Sequence, residues 1–175
     1  EFNLGIVGIV PQRKRIDLAV DILRLILVED PRYKLHIQSR RPEEYPWMVA
    51  RKDEMAWYER VYQQIDSLSV PGSVVFDPYS FDMPQWFMDI GFLLSTSDFE
   101  GTHQSVAESM ASGCIPIIRD WEGAHRIYPP RFVFSTARQA ADLILSFREP
   151  RRYEEQADYA RSYSRDAFDS GPICQ

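Results

Sequence analysis

Two carboxylates, Glu100 and Glu108, bracket a short polar stretch with seven residues between them. They lie in the run from Ser97 to Gly113, SDFEGTHQSVAESMASG, which follows a buried-strand pattern, Gly91 to Ser95 (GFLLS), and leads into a helix. That helix is expected to begin near Thr102, whose hydroxyl can cap free backbone N–H groups. Val106, Ala107, Met110 and Ala111 then share one face, and Gln104, Ser105, Glu108 and Ser112 the other. A helix N-terminus at the carboxyl end of a strand favours an anion, because its first N–H groups lack partners and its dipole is positive there. Carboxylates accept hydrogen bonds from sugar hydroxyls, so this pair beside an anion site suits a ligand carrying both phosphate and sugar. An acidic loop next to a solvated helix face is the other reading of the same spacing.

A second set of groups lies near the start of the chain. Arg13, Lys14 and Arg15 are consecutive cations in the turn PQRKR, directly after a strand pattern at Phe2 to Val10. In open α/β sheets ligands bind at the carboxyl ends of strands, so a diphosphate would meet these charges; a solvated basic turn is the alternative. Tyr79 follows a third strand pattern, Ser73 to Phe76, and offers a ring on which a base could stack or an ordinary surface tyrosine. His103 is either a ligand contact or a cap. No metal site is expected, since His36 and His125 have no ligand spacing to it.

The elements that must hold these groups follow from periodicity. Ile16 to Glu29 carries apolar residues at 16, 19, 20, 23, 26 and 27, a helical stripe that stops at Asp30-Pro31. Lys34 to Ser39 is a second strand, which makes the opening a βαβ unit with parallel strands. Glu44 to Leu68 reads as helical, with Trp47, Met48, Met55, Trp57, Tyr58, Val61 and Ile65 packing. Asp82 to Asp89 is a helix with Asp82 as N-cap and Pro84 in the first turn, burying Trp86 and Phe87. Ile115 to Ile118 and Arg131 to Ser135 are further strands, and Thr136 to Phe147 and Pro150 to Phe168 are closing helices. The fold class is α/β: a Rossmann-like parallel sheet of about six strands with helices on both faces.

The residues between the carboxylates carry a family resemblance. The pattern E-G-x-x-x-x-x-x-E-S-M-A-S-G-x-I-P-I resembles the donor-binding signature E-G-F-G-L-x-x-x-E-A-M-A-x-G-x-P-V of retaining glycosyltransferase family 4 (GT-B fold). Glu100-Gly101, Glu108, Met110-Ala111, Gly113 and Pro116 fall in register. V-G-x-x-x-x-x-K-x-x-D, from Val7 to Asp17, resembles the family's V-G-R-L-x-x-x-K-G-x-D and puts Lys14 on the lysine that contacts the donor diphosphate. Two departures stand out. The family's arginine falls on Ile9, leaving half of the phosphate clamp to be supplied by Arg13 or Arg15, and the family's Phe-Gly-Leu is Thr102-His103-Gln104. Glu122-Gly123-Ala124 is a loose echo of a family turn that faces the donor sugar.

The resemblance implies the donor-binding, C-terminal domain of a retaining glycosyltransferase in polysaccharide biosynthesis. It would move a sugar from a nucleoside diphosphate sugar to a glycan or glycolipid acceptor. Lys14 would neutralise the leaving diphosphate, with Arg13, Gly101, Thr102, His103, Gln104 and Ser105 lining the donor; Glu100 would hold sugar hydroxyls and Glu108 the ribose. No cofactor or metal is implied. The acceptor domain would be a separate N-terminal half, absent from residues 1–175, so the isolated domain is expected to bind weakly and catalyse little. Membrane association would reside in that half. The alternatives are another GT-B relative, such as a nucleotide-sugar epimerase, or a non-catalytic domain binding nucleotide or a partner protein, which Ile9 would favour. A phosphorylase would need a pyridoxal lysine, and only Lys14, Lys34 and Lys52 are present.

Composition bounds these readings. A chain of 175 residues with 45% apolar and 26% charged content suits one domain that buries its own core. The net charge of −6 argues against a general nucleic-acid binder. No apolar run approaches the roughly 20 residues of a membrane span. Cys114 and Cys174 lie far apart without metal spacing, which points to a reduced, cytoplasmic setting, and the start at Glu1-Phe2 suggests a piece of a longer protein.

Overall fold

The computed structural model describes residues 2–101 and 103–168. Six parallel strands are present: β1 (Asn3–Val7), β2 (Lys34–Gln38), β3 (Val74–Phe76), β4 (Phe92–Ser95), β5 (Ile115–Arg119) and β6 (Val133–Phe134), in the spatial order β3-β2-β1-β4-β5-β6. Among the described residues eight α-helices connect and close them: α1 (Ile16–Glu29), α2 (Pro46–Val49), α3 (Lys52–Asp66), α4 (Met83–Met88), α5 (Gln104–Ser112), α6 (Ala124–Ile127), α7 (Ala137–Ser146) and α8 (Pro150–Phe168). α1 packs on α3 and α7, while α5 packs on α4 and α8. Parallel crossovers that run to either side of β1 produce these two layers.

The stripe predicted for α1 is the buried one: Ile16, Ala19, Val20, Leu23, Ile26 and Leu27 all face the core, joined by Ile22. Asp82 caps α4 as expected, accepting from Gln85 N at 3.2 Å. On β1, Gly5 is what lets α4 approach, since a Cβ there would sit 2.7 Å from Trp86 Cη2 and 2.8 Å from Ile90 Cγ2.

Several expectations are corrected. The first strand ends at Val7 because Gly8 takes φ +73, which breaks the extended run. The helix expected over residues 44–68 is two helices, broken at Ala50 and Arg51. Trp47 is exposed and lies beside the Arg51 guanidinium, while Trp86 is only half-buried because its indole N–H reaches Asp77. The last strand shrinks to two residues, since Pro130–Phe132 form a 3-10 turn.

Candidate functional site

The strand order reverses between β1 and β4, so the segments that follow these two strands meet over the carboxyl edge of the sheet. After β1, residues Gln12–Lys14 form a 3-10 turn. After β4, Thr96 Oγ1 donates to Lys14 O at 2.8 Å and Asp98 N donates to Arg13 O at 2.9 Å, which fastens the two turns together.

On that frame the charged groups converge. Lys14 Nζ donates to Glu100 Oε1 at 2.6 Å, and Ser97 Oγ donates to the same oxygen at 2.6 Å. Arg13 Nη1 lies 3.4 Å from that oxygen, donates to Phe99 O at 3.0 Å, and its guanidinium rests over the Phe99 ring. Burial opposes charge on Glu100, but the hydrogen bonds from Lys14 and Ser97 outweigh it and hold the carboxyl below its ordinary range. Glu100 is therefore an anion at neutral pH.

Arg15 is turned away from this cluster. It pairs with Asp17 and Asp98, and Asp98 also takes the Arg119 guanidinium. Of the two arginines that could replace the one missing at Ile9, only Arg13 stands beside Lys14 and Glu100. Ile9 itself is fully buried, its carbonyl accepting from Tyr58 Oη at 2.8 Å. Arg15 adopts φ +53, a left-handed conformation costly for a side-chain-bearing residue, at the place where the related motif has glycine. Its ion pairs to Asp17 and Asp98 compensate.

Helix α5 starts at Gln104, later than expected, with His103 as N-cap. Thr102, the predicted cap, lies outside the described residues. His103 makes no capping bond through its side chain; its Nδ1 shares a 2.9 Å hydrogen bond with Ser95 Oγ. Burial, opposed by Glu100 and aided by Lys14 and Arg13, pushes its pKa down to about 4, so the ring is neutral at pH 7. Among the described residues, Val106 N–H is the first in the helix to find a backbone acceptor, His103 O, which leaves the N–H groups of Gln104 and Ser105 ahead of the ladder. Ala111 is exposed rather than packed; Ser109 is buried in its stead, its hydroxyl satisfied by Val106 O at 2.8 Å. Gly101 is exposed at the mouth of this turn.

Glu108 lies a turn further along α5 and accepts from Gln104 Nε2 at 2.9 Å. It lines a groove of about 500 Å³ between α5 and α8, faced by Arg161, Arg165 and Phe168. Tyr79 is not brought to Lys14 and Glu100: it follows the outer strand β3, half-exposed, beside Arg40 and Phe81. Sequence reasoning missed Ser97, Thr96, Asp98 and Arg119. For Ser97 a signal existed, since a hydroxyl three residues before Glu100 is within local reach of its carboxylate.

Solved structures share this fold. HepE from Anabaena, solved with UDP and glucose, superposes with a TM-score of 0.80 at 18% identity, over 99% of this chain and 46% of that one. TarM from S. aureus, in a complex containing UDP, gives 0.79 at 19% identity, over 99% of this chain and 34% of that one. The C-terminal domain of LpcC, a group 1 glycosyl transferase from Francisella tularensis, gives 0.80 at 14% identity, over 96% of this chain and 86% of that domain. The fold matches that of a glycosyltransferase C-terminal domain. This chain spans a third to a half of the length of HepE and TarM. No protein-family profile and no curated protein matches the sequence. Among the described residues no helix is long and apolar enough to cross a membrane, and no three His, Cys, Asp or Glu side chains cluster as metal ligands.

Proposed function

We propose that this chain is the donor-binding domain of a retaining, family 4-type glycosyltransferase acting in the cytoplasm on a nucleoside diphosphate sugar. The observation that carries the reading is the Lys14–Glu100 pair at the switch point of the sheet, beside the open N-terminus of α5. A cation, free N–H groups and a carboxylate held ionised are what a diphosphate joined to a polyhydroxylated ring requires.

In this reading Lys14 and Arg13 take the diphosphate, and Arg13 stands in for the arginine that Ile9 replaces. The N–H groups of Gln104 and Ser105 face the same anion, stabilising charge as it develops on the leaving group. Glu100 exchanges its bond to Lys14 for bonds to sugar hydroxyls, with His103 and Gly101 at the same mouth. Glu108 takes the ribose, and Tyr79, beside the outer strand β3, takes no part in this reading. Transfer proceeds with retention to a glycan or glycolipid acceptor held by a separate N-terminal domain, and calls on no metal. The domain alone binds donor weakly and turns over little.

Calorimetric titration with UDP, GDP, ADP and their sugar conjugates tests this. One diphosphate should bind selectively, and Lys14→Ala and Glu108→Ala should each abolish that binding. Unchanged binding in both variants would overturn the residue roles.

A further inference from the structure

Tyr128 follows α6, in the segment after β5, and belongs to neither of the motifs that marked Lys14, Glu100 and Glu108. Only 2% of its surface is exposed, and its hydroxyl has no hydrogen-bond partner among the described residues. Buried hydroxyls are paired as a rule, so an unpaired one calls for a ligand or another explanation. The phenol lies against the backbone of His103, the N-cap of α5, without completing a hydrogen bond to it, and it feels the charge of Glu100. It therefore stands at the edge of the open N-terminus of a nine-residue helix.

The chemistry of the surroundings selects the ligand. Gln104 N–H, Ser105 N–H, Lys14 Nζ and Arg13 are donors only, and the carboxylate nearby is already bound by Lys14 and Ser97. Burial pushes the Tyr128 pKa up to about 12, the nearby His103 backbone opposing and Glu100 adding to it, so the phenol keeps its proton and acts as a donor too. A set made up of donors with a net positive surround fits an oxygen that carries charge and no proton.

We propose that the Tyr128 hydroxyl is a binding group for the donor's distal phosphate, donating to a non-bridging oxygen seated on the N-terminus of α5. The inference rests on the donor-site reading above and adds to it a contact from the β5–α6 segment. It also supplies a donor in a site whose related motif has an arginine where this chain has Ile9. A neutral donor in a buried position stabilises the bound anion without an ion pair that must first be broken, whereas Lys14 must leave Glu100.

The test is calorimetry on Tyr128→Phe, which keeps the ring and its packing. The probes are UDP, GDP and ADP, with the corresponding monophosphate of whichever binds. Loss of one hydrogen bond to a charged oxygen should weaken the diphosphate about ten- to a hundredfold. Affinity for the monophosphate, which has no distal phosphate, should stay unchanged, a split that a general loss of fold would not produce. Equal diphosphate affinity in Tyr128→Phe and the parent, or an equal loss for mono- and diphosphate, would overturn the inference and leave the donor site standing. If the parent chain binds none of the three diphosphates at millimolar concentration, the donor-site reading fails, and this inference with it.

Discussion

Lys14 Nζ and Glu100 Oε1 meet at 2.6 Å although they lie 86 positions apart in the chain. The pair exists because β1 and β4 are neighbours in the sheet, and it neutralises two partly buried charges when no ligand is bound. Replacing Lys14 alone by Met should leave Glu100 without its cation and cost about 1–3 kcal/mol. Adding Glu100→Gln should recover part of that loss. Denaturant unfolding of the four forms measures the coupling, and strictly additive losses would mean the pair contributes nothing.

His103 should make stability depend on pH in a defined window. Unfolded, it titrates near 6.5; folded, burial holds it at about 4. Between these values the unfolded chain binds the extra proton, so stability falls as pH drops from 6.5 toward 4 and is untouched by this group above 6.5. Glu100, whose folded value is depressed, adds a loss only below its ordinary 4.5. Melting temperatures of the parent and His103→Asn should converge toward pH 4.5 relative to their difference at pH 7.5.

Arg15 separates two effects in one residue. Its left-handed backbone favours glycine, while its side chain ties Asp17 to Asp98. Arg15→Ala keeps the backbone cost and loses the ties, and should destabilise by about 1–2 kcal/mol. Arg15→Gly removes both and should lie within about 1 kcal/mol of the parent. Chemical denaturation ranks them, and an equal loss in both would remove the backbone from the account.

Gly5→Val should be costly for a steric reason alone, because Trp86 and Ile90 occupy the space of the new side chain. Overpacking of this kind costs about 1–3 kcal/mol, and Trp86 fluorescence should shift as its ring is displaced.

Much of this was legible in the chain. The α1 stripe was read correctly because apolar period alone determines which face is buried, and Pro31 marks its end. Glu100 and Lys14 could be singled out by motif, and the sheet order then brought them together. What a sequence does not display is contact between distant segments. Asp98 holds both Arg15 and Arg119, and Arg13 rather than Arg15 faces the site, only because the two turns cross. Ser109, which the pattern assigned to neither face, is buried for a local reason: a serine that bonds its own helix backbone packs like an apolar residue. Tyr128 carried no signal, since an unpaired hydroxyl is a property of its surroundings.

The most direct test of the donor site compares two ligands in two variants. Lys14→Ala should abolish binding of both the preferred nucleoside diphosphate and its sugar conjugate, because both carry the phosphates it meets. Glu100→Gln should weaken only the sugar conjugate, and should leave the free diphosphate unchanged or bound more tightly, since Lys14 is then released from its 2.6 Å partner. A Glu100→Gln loss as large for the diphosphate as for its sugar conjugate would contradict the assignment of Glu100 to the sugar. Unaltered binding of both ligands by Lys14→Ala would contradict the site itself.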